Sequence, residues 1–220
     1  MTERFLYLIR HGRANYDNDD FVQTPRGHQY DPPLSGAGRE QAAILARRLL
    51  LSDPPTAVVS SPLRRARETA IAYAEPAGIE PEYDMDLAEA FIGGWENRSF
   101  EEIIATDEAM LARFRRHDAF WRHAPGAEDL DAFRERVTGG IERALARNPE
   151  GNLYVFCHGG VVNAYVAPLF GLEQEMFFVP ENTSINVLAV EGDRRVVRFL
   201  NDARHLTEPQ LFADASGPPA

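Results

Sequence analysis

Two short runs of almost unbroken apolar residues, each ending abruptly in histidine and glycine, constrain this chain more than any other feature. Phe5-Leu-Tyr-Leu-Ile9 gives way to Arg10-His11-Gly12, and Leu153-Tyr-Val-Phe-Cys157 gives way to His158-Gly159-Gly160. A strand with no polar alternation is buried on both faces, as in a parallel sheet covered by helices on each side. Such sheets collect functional groups at the carboxyl ends of their strands, which is where both histidines are expected.

Strand-like and helix-like segments alternate along the rest of the chain. Residues 13–35, punctuated by Pro25, Gly27, Pro32 and Pro33, read as a long surface loop of the kind that carries function. Residues 37–51 place Ala42, Leu45 and Leu49 at helical spacing, with Ser35 as N-cap. Residues 56–60 form a β-rich run, and Ser61-Pro62 predicts the N-cap and first turn of a helix with Leu63, Ala66, Ala70 and Tyr73 facing inward. A short strand is expected at 80–84. Helices are expected at 99–121 and 128–147, separated by Pro125-Gly126, the second with Leu130, Phe133, Val137, Ile141 and Leu145 on one stripe. Residues 161–170 read as helix, and 184–190 with 195–200 as a closing hairpin around Glu191-Gly192-Asp193-Arg194. This order predicts an α/β fold, a three-layer α/β/α sandwich with a mainly parallel central sheet. One domain is expected over residues 1–211, with 212–220 a disordered tail.

The 23 Lys and Arg residues are outnumbered by 34 Asp and Glu, a formal charge of −11. That balance argues against broad attraction to nucleic acid or to an anionic membrane, so an anionic substrate must find a local basic pocket. With no apolar stretch of signal-peptide or membrane-spanning length, a cytoplasmic location is expected. Cys157 is the only cysteine, which excludes an intramolecular disulfide and a thiolate metal cluster; within an apolar strand it reads as core.

Arg10, His11, Arg65 and His158 would then meet at the strand ends. Guanidinium forks match phosphate oxygens, and a neutral imidazole can attack phosphorus and carry the phosphoryl group as phosphohistidine. A backbone carbonyl near Gly12 is the expected partner for the non-attacking ring nitrogen, and Gly12, Gly159 and Gly160 would let backbone amides approach a phosphate. His28, His117, His123 and His205 read as core or surface residues. No metal-ligand spacing occurs, so neither metal nor cofactor is expected.

These segments resemble the histidine phosphatase superfamily, the phosphoglycerate mutase-like group. Leu8-Ile-Arg10-His11-Gly12 matches its arginine-histidine-glycine signature. Asp31-Pro-Pro-Leu34-Ser35-Gly36-Ala37-Gly38, Ser60-Ser61-Pro62-Leu63-Arg64-Arg65-Ala66, Leu87-Ala88-Glu89 with Gly94-Trp95-Glu96, Phe156-Cys157-His158-Gly159-Gly160 and Asn182-Thr183-Ser184-Ile185 match further segments in order over residues 4 to about 207. The resemblance implies a phosphoglycerate mutase-like fold and a phosphomonoester hydrolase acting on a phosphorylated small molecule. It implies that His11 is the nucleophile, His158 the second histidine, Arg10, Arg65 and Gly159 the phosphate-binding groups, and Glu89 the proton donor. Arg13, Ala14, Asp17 and Asn97 depart from common family residues. Arg13, Asn15 and Asn18 are candidate substrate contacts, Arg13 for a second anionic group, while Asp17 would repel phosphate. A mutase is the alternative, but the segment Leu87-Ala-Glu-Ala-Phe-Ile92 lacks the arginine-x-x-glutamate-arginine-histidine pattern of that branch; a silent scaffold would keep the fold without the chemistry.

Overall fold

The computed structural model describes residues 4–106, 108–116, 123–174 and 176–212. Among them, six strands form one sheet: β1 (Phe5–Arg10), β4 (Pro55–Ser60), β5 (Glu82–Tyr83), β6 (Asn152–Cys157), β7 (Ile185–Glu191) and β8 (Arg194–Asp202), in the order β5-β4-β6-β1-β7-β8. The pairs β5-β4, β4-β6 and β6-β1 are parallel, while β7 runs antiparallel to both its neighbours. The expected mainly parallel sheet is therefore present, closed on one side by the hairpin read from the sequence.

Strand alternation decides which helices cover which face. Leu6, Leu8, Val59, Leu153 and Val155 pack against α5 (Leu130–Arg147) and α6 (Gly159–Val166), through Phe133, Val137, Ile141, Val161 and Val162. Ile9, Val58, Tyr154 and Phe156 pack instead against α1 (Gly36–Leu50) and α2 (Arg64–Ala77), through Leu45, Leu49, Ala70 and Tyr73. Those stripes are the ones helical periodicity singles out, and the result is the three-layer sandwich. Cys157 is buried in the first of these cores, where desolvation pushes its thiol far above the ordinary range.

The structure departs from the sequence reading in several places. The stretch 13–35 is not all loop: β2 (Phe21–Thr24) and β3 (Gly27–Tyr30) form a separate two-stranded ribbon. Helix α2 starts at Arg64, not at Pro62; its N-cap residue Leu63 offers no side-chain bond, and Asp31 Oδ1 accepts from the Arg64 N–H at 2.6 Å instead. The single helix expected at 99–121 is two, α3 (Phe100–Thr106) and α4 (Glu108–Arg115), with residues 117–121 and His117 outside the described residues. The helix expected at 161–170 begins two residues earlier and ends in a 3-10 turn, Ala167–Phe170. A short helix α7 (Arg204–Thr207) and a turn Pro209–Phe212 follow β8. Phe212, read as the first residue of a tail, lies under the Arg48 guanidinium, 4.6 Å from its ring centre. Residues 213–220 lie outside the described residues.

Candidate active site

Strand register lines up the central groups. Ser60 on β4 pairs with Phe156 on β6, and Cys157 pairs with Arg10 on β1, so Ser61, His158 and His11 leave three adjacent strands side by side. Backbone bonds extend this register past the strand ends: His11 N donates to Cys157 O and Ser61 N to Phe156 O. The His11 carbonyl accepts from Asn182 Nδ2 and Thr183 N, so the residue is clamped from two directions.

Behind His11 the chain is held by close backbone contact. Ser35 caps α1 through the Gly38 N–H, and both its N–H and its hydroxyl donate to Arg13 O. A Cβ on Gly12 would come within 2.6 Å of Gly38 O, and one on Gly38 would overlap Arg13 O. The motif running from Asp31 to Gly38 is thus a clasp between the loop after β1, the start of α1 and the start of α2, with Leu34 N also donating to Glu68 of α2.

His11 is 3% exposed and His158 fully buried, their ring centres 5.1 Å apart. His11 Nδ1 donates to Gly12 O at 2.7 Å, which leaves Nε2 with its lone pair; Arg65 Nε lies 3.3 Å from that nitrogen. Burial, then Arg65, then Arg10 hold His11 well below the ordinary imidazole pKa, against the opposing Gly12 bond. Burial and the same two arginines, together with His11, depress His158 likewise. Both rings are therefore neutral at pH 7. His158 Nε2 lies 2.8 Å from Ser61 Oγ, which itself accepts from Leu63 N, so the serine hydroxyl has its proton available for Nε2. His158 Nδ1 and Arg10 Nε are buried without a hydrogen-bond partner among the described residues. Arg10 Nη1 donates to Pro180 O, and Gly159 abuts this guanidinium, since a Cβ there would stand 3.6 Å from Arg10 Nε.

Glu89 reaches the same place from the loop after β5. Its carboxylate accepts from Ala90 N and Gly160 N, both at 3.0 Å. A Cβ on Gly160 would overlap Glu89 Oε1, so the second glycine after His158 makes room for the carboxylate. Arg136 of α5 fixes the loop: it donates to the carbonyls of Asp86, Ala88 and Glu89 while forming a two-point ion pair with Glu128 at 2.6 and 2.7 Å. Glu96 serves as a structural partner, accepting from Tyr30 N and Ile92 N and so tying the β2-β3 ribbon to this loop; burial raises its pKa against those bonds.

A cleft of about 700 Å³ opens beside these groups, within the range of small-molecule sites. Arg65 and Glu89 line it, along with Gln29, Tyr30, Trp95 and Asp17. The structure thus gathers His11, His158, Arg10, Arg65, Gly159 and Glu89, and it sets the other three candidates apart. Arg13 is exposed and outside the cleft lining. Asn15 Oδ1 accepts from Asp17 N, and Asn18 bonds Asn15 O and Asp20 N, so both amides build the loop. Ser61, Gln29 and Arg136 went unmarked as site residues in the sequence because each acts through a partner more than thirty positions away. Among the described residues no group of three or more His, Cys, Asp or Glu side chains could hold a metal ion, and no helix is long and apolar enough to cross a membrane.

A parallel-stranded α/β sheet whose carboxyl edge gathers two neutral imidazoles, two guanidiniums and a carboxylate defines an architecture suited to handling an anionic ester. The family model of the histidine phosphatase superfamily (branch 1) matches residues 6–203, and the chain belongs to that superfamily. A glucosyl-3-phosphoglycerate phosphatase of Mycolicibacterium vanbaalenii is 31% identical over 97% of this chain and 92% of its own length. Phosphoserine phosphatase 1 of Hydrogenobacter thermophilus is 29% identical over 92% of this chain and 94% of its own. The native structure of a mycobacterial glucosyl-3-phosphoglycerate phosphatase superposes with a TM-score of 0.76 at 27% identity, covering 92% of this chain and 100% of that one.

Proposed function

We propose that the chain hydrolyses phosphomonoesters of small molecules through a phosphohistidine on His11. The observation that carries this reading is the His11 ring, neutral and buried, with Nδ1 committed to Gly12 O and Nε2 facing a guanidinium. The phosphatase names of the relatives support the same reaction class.

Phosphate displaces the Arg65 contact from Nε2 and takes the guanidinium for its own oxygens, while Arg10 Nε and His158 Nδ1 supply further donors from positions where they have no partner among the described residues. With Ser61 donating to His158 Nε2, the proton of that ring sits on Nδ1, the tautomer able to donate to phosphate. Nε2 of His11 then attacks phosphorus, the bond from phosphorus to the alcohol oxygen breaks, and protonated Glu89 gives its proton to that oxygen. Water next attacks phosphorus and passes a proton to the Glu89 carboxylate. The nitrogen–phosphorus bond breaks, its electron pair returns to Nε2, and inorganic phosphate leaves.

Rapid quench of the full chain with a ³²P-labelled substrate should trap an acid-labile, base-stable adduct that His11→Ala lacks. Unchanged turnover in His11→Ala would remove the nucleophile assignment.

A further inference from the structure

Gln29 on β3 is 1% exposed, yet it lines the cleft. Its Nε2 donates to Glu89 O at 2.9 Å and stands 3.5 Å from Ala90 O. Carbonyl oxygens only accept, so the flipped amide would set oxygen against oxygen, and the orientation is fixed. Oε1 is left as a buried acceptor with no partner among the described residues. An amide oxygen out of water and unpaired is costly, and only a donor relieves it, so its complement on a ligand is a hydroxyl or an ammonium.

The charges of the cleft point the same way. Among the described residues, and beyond Arg65 and Glu89, its charged lining is Asp17, Glu96, Glu102 and Arg98, three carboxylates to one guanidinium. Arg98 is exposed and lies close enough to Glu102 to help its Ser99 hydrogen bonds lower that carboxyl's pKa. A second anionic group on a substrate would thus meet net negative charge and an amide acceptor.

Granting the phosphomonoesterase reading above, we infer that this cleft selects esters of donor-bearing, non-anionic alcohols, polyols or amino alcohols, with Gln29 Oε1 as the specificity-determining acceptor and Asp17 among the groups that reject a carboxylate.

The test compares kcat/KM on the full chain for sn-glycerol 3-phosphate, 3-phosphoglycerate, n-propyl phosphate and phosphoethanolamine, with 4-nitrophenyl phosphate as the reactive reference. Glycerol phosphate and phosphoglycerate differ by hydroxymethyl against carboxylate, and propyl phosphate lacks donors altogether. Wild type should prefer glycerol phosphate to each of the other two by about tenfold or more. Gln29→Met should pull the glycerol-to-propyl ratio toward one, whatever it does to both rates through the Glu89 carbonyl. Asp17→Asn, at an exposed position, should raise phosphoglycerate relative to glycerol phosphate by about three- to tenfold. Phosphoethanolamine above propyl phosphate supports the inference with an ammonium as donor, and glycerol phosphate above both supports it with a hydroxyl.

Phosphoglycerate turned over as well as glycerol phosphate would overturn the inference. So would a glycerol-to-propyl ratio that survives in a Gln29→Met protein still inhibited by vanadate. Should that variant not fold, an unchanged ratio of phosphoglycerate to glycerol phosphate in Asp17→Asn overturns it alone. Wild type inert even toward 4-nitrophenyl phosphate would instead remove the phosphomonoesterase reading, and the cleft's selectivity with it.

Discussion

Glu89 accepts two backbone N–H bonds, one from its neighbour Ala90 and one from Gly160, across 71 positions of chain. The second bond exists only because Gly160 has no side chain. If Glu89 protonates the leaving alcohol, Glu89→Gln should slow alkyl phosphates by about 10²–10⁴-fold in the first chemical step and largely spare 4-nitrophenyl phosphate, whose leaving group needs no proton. Gly160→Ala should reproduce that pattern without touching the carboxylate itself, because a methyl there displaces it. Single-turnover rates for the two ester classes decide the matter, and equal losses on both would move the acid role elsewhere. At this scale the sequence was informative where chemistry follows a strand end. His11 and His158 stand out because an apolar run stops at each, whereas Gln29 sits in an ordinary polar stretch and acquires meaning only from the carbonyls of Glu89 and Ala90.

Elements tell a similar story about which physics is local. Helices α1, α2 and α5 were legible because each carries an inward stripe at helical spacing, and β1 and β6 because both faces are buried. The β2-β3 ribbon was not, since its buried residues, Thr24, Gln29 and Tyr30, include two polar side chains and form no apolar alternation, and the ribbon is held by Glu96 on Tyr30 N and by Gln29 on Glu89 O. Helix α5 has a second function that its stripe does not reveal: Arg136 anchors the Glu89 loop while its charge is matched by Glu128, 6% exposed. Arg136→Met leaves that carboxylate with only the Phe91 N–H and the Arg26 guanidinium 3.9 Å away, and should destabilise the fold toward the lower end of about 3–5 kcal/mol. Adding Glu128→Leu should recover most of the stability, read as the urea midpoint, while kcat for alkyl phosphates stays low because the Asp86 and Ala88 carbonyls still lack their Arg136 donor and Glu89 O keeps only Gln29. Recovery of both together would show that Arg136 is structural only. Recovery of neither would place its contribution in the carbonyl contacts rather than in the ion pair.

Across the whole molecule, buried neutral histidines tie stability to pH, and His205 offers the cleanest access because it lies away from the cleft. It is buried, accepts from Arg48 of α1 at Nδ1, and donates from Nε2 to Thr183, whose N–H holds the His11 carbonyl. Burial first, then Arg48, lowers its pKa to about 4, with Asp202 opposing. An unfolded histidine titrates near 6.5, so between about 6.5 and 4 the unfolded chain takes up a proton that the folded chain refuses. Stability from this residue is therefore fully present above pH 6.5 and lost as pH falls through that window. His11 and His158, also depressed, act with the same sign; Asp31 and Glu96, raised by burial, act with the opposite sign at the upper edge of the carboxylate range. Asp202, lowered by Arg48 and Arg204 despite burial, adds its loss only below the ordinary carboxylate range. A difference measurement isolates His205 from all of them. His205→Gln keeps an acceptor for Arg48 and a donor for Thr183 but cannot titrate, so its stability relative to wild type should be constant above pH 6.5, rise steadily as pH falls to about 4, and level off below. Urea unfolding at closely spaced pH values, compared at constant m, reads that curve directly. Parallel profiles for the two proteins from pH 7 to pH 4 would mean that His205 exchanges its proton in the folded state as freely as in the unfolded one, and the Arg48–His205–Thr183 chain would then not be what holds the His11 carbonyl in place.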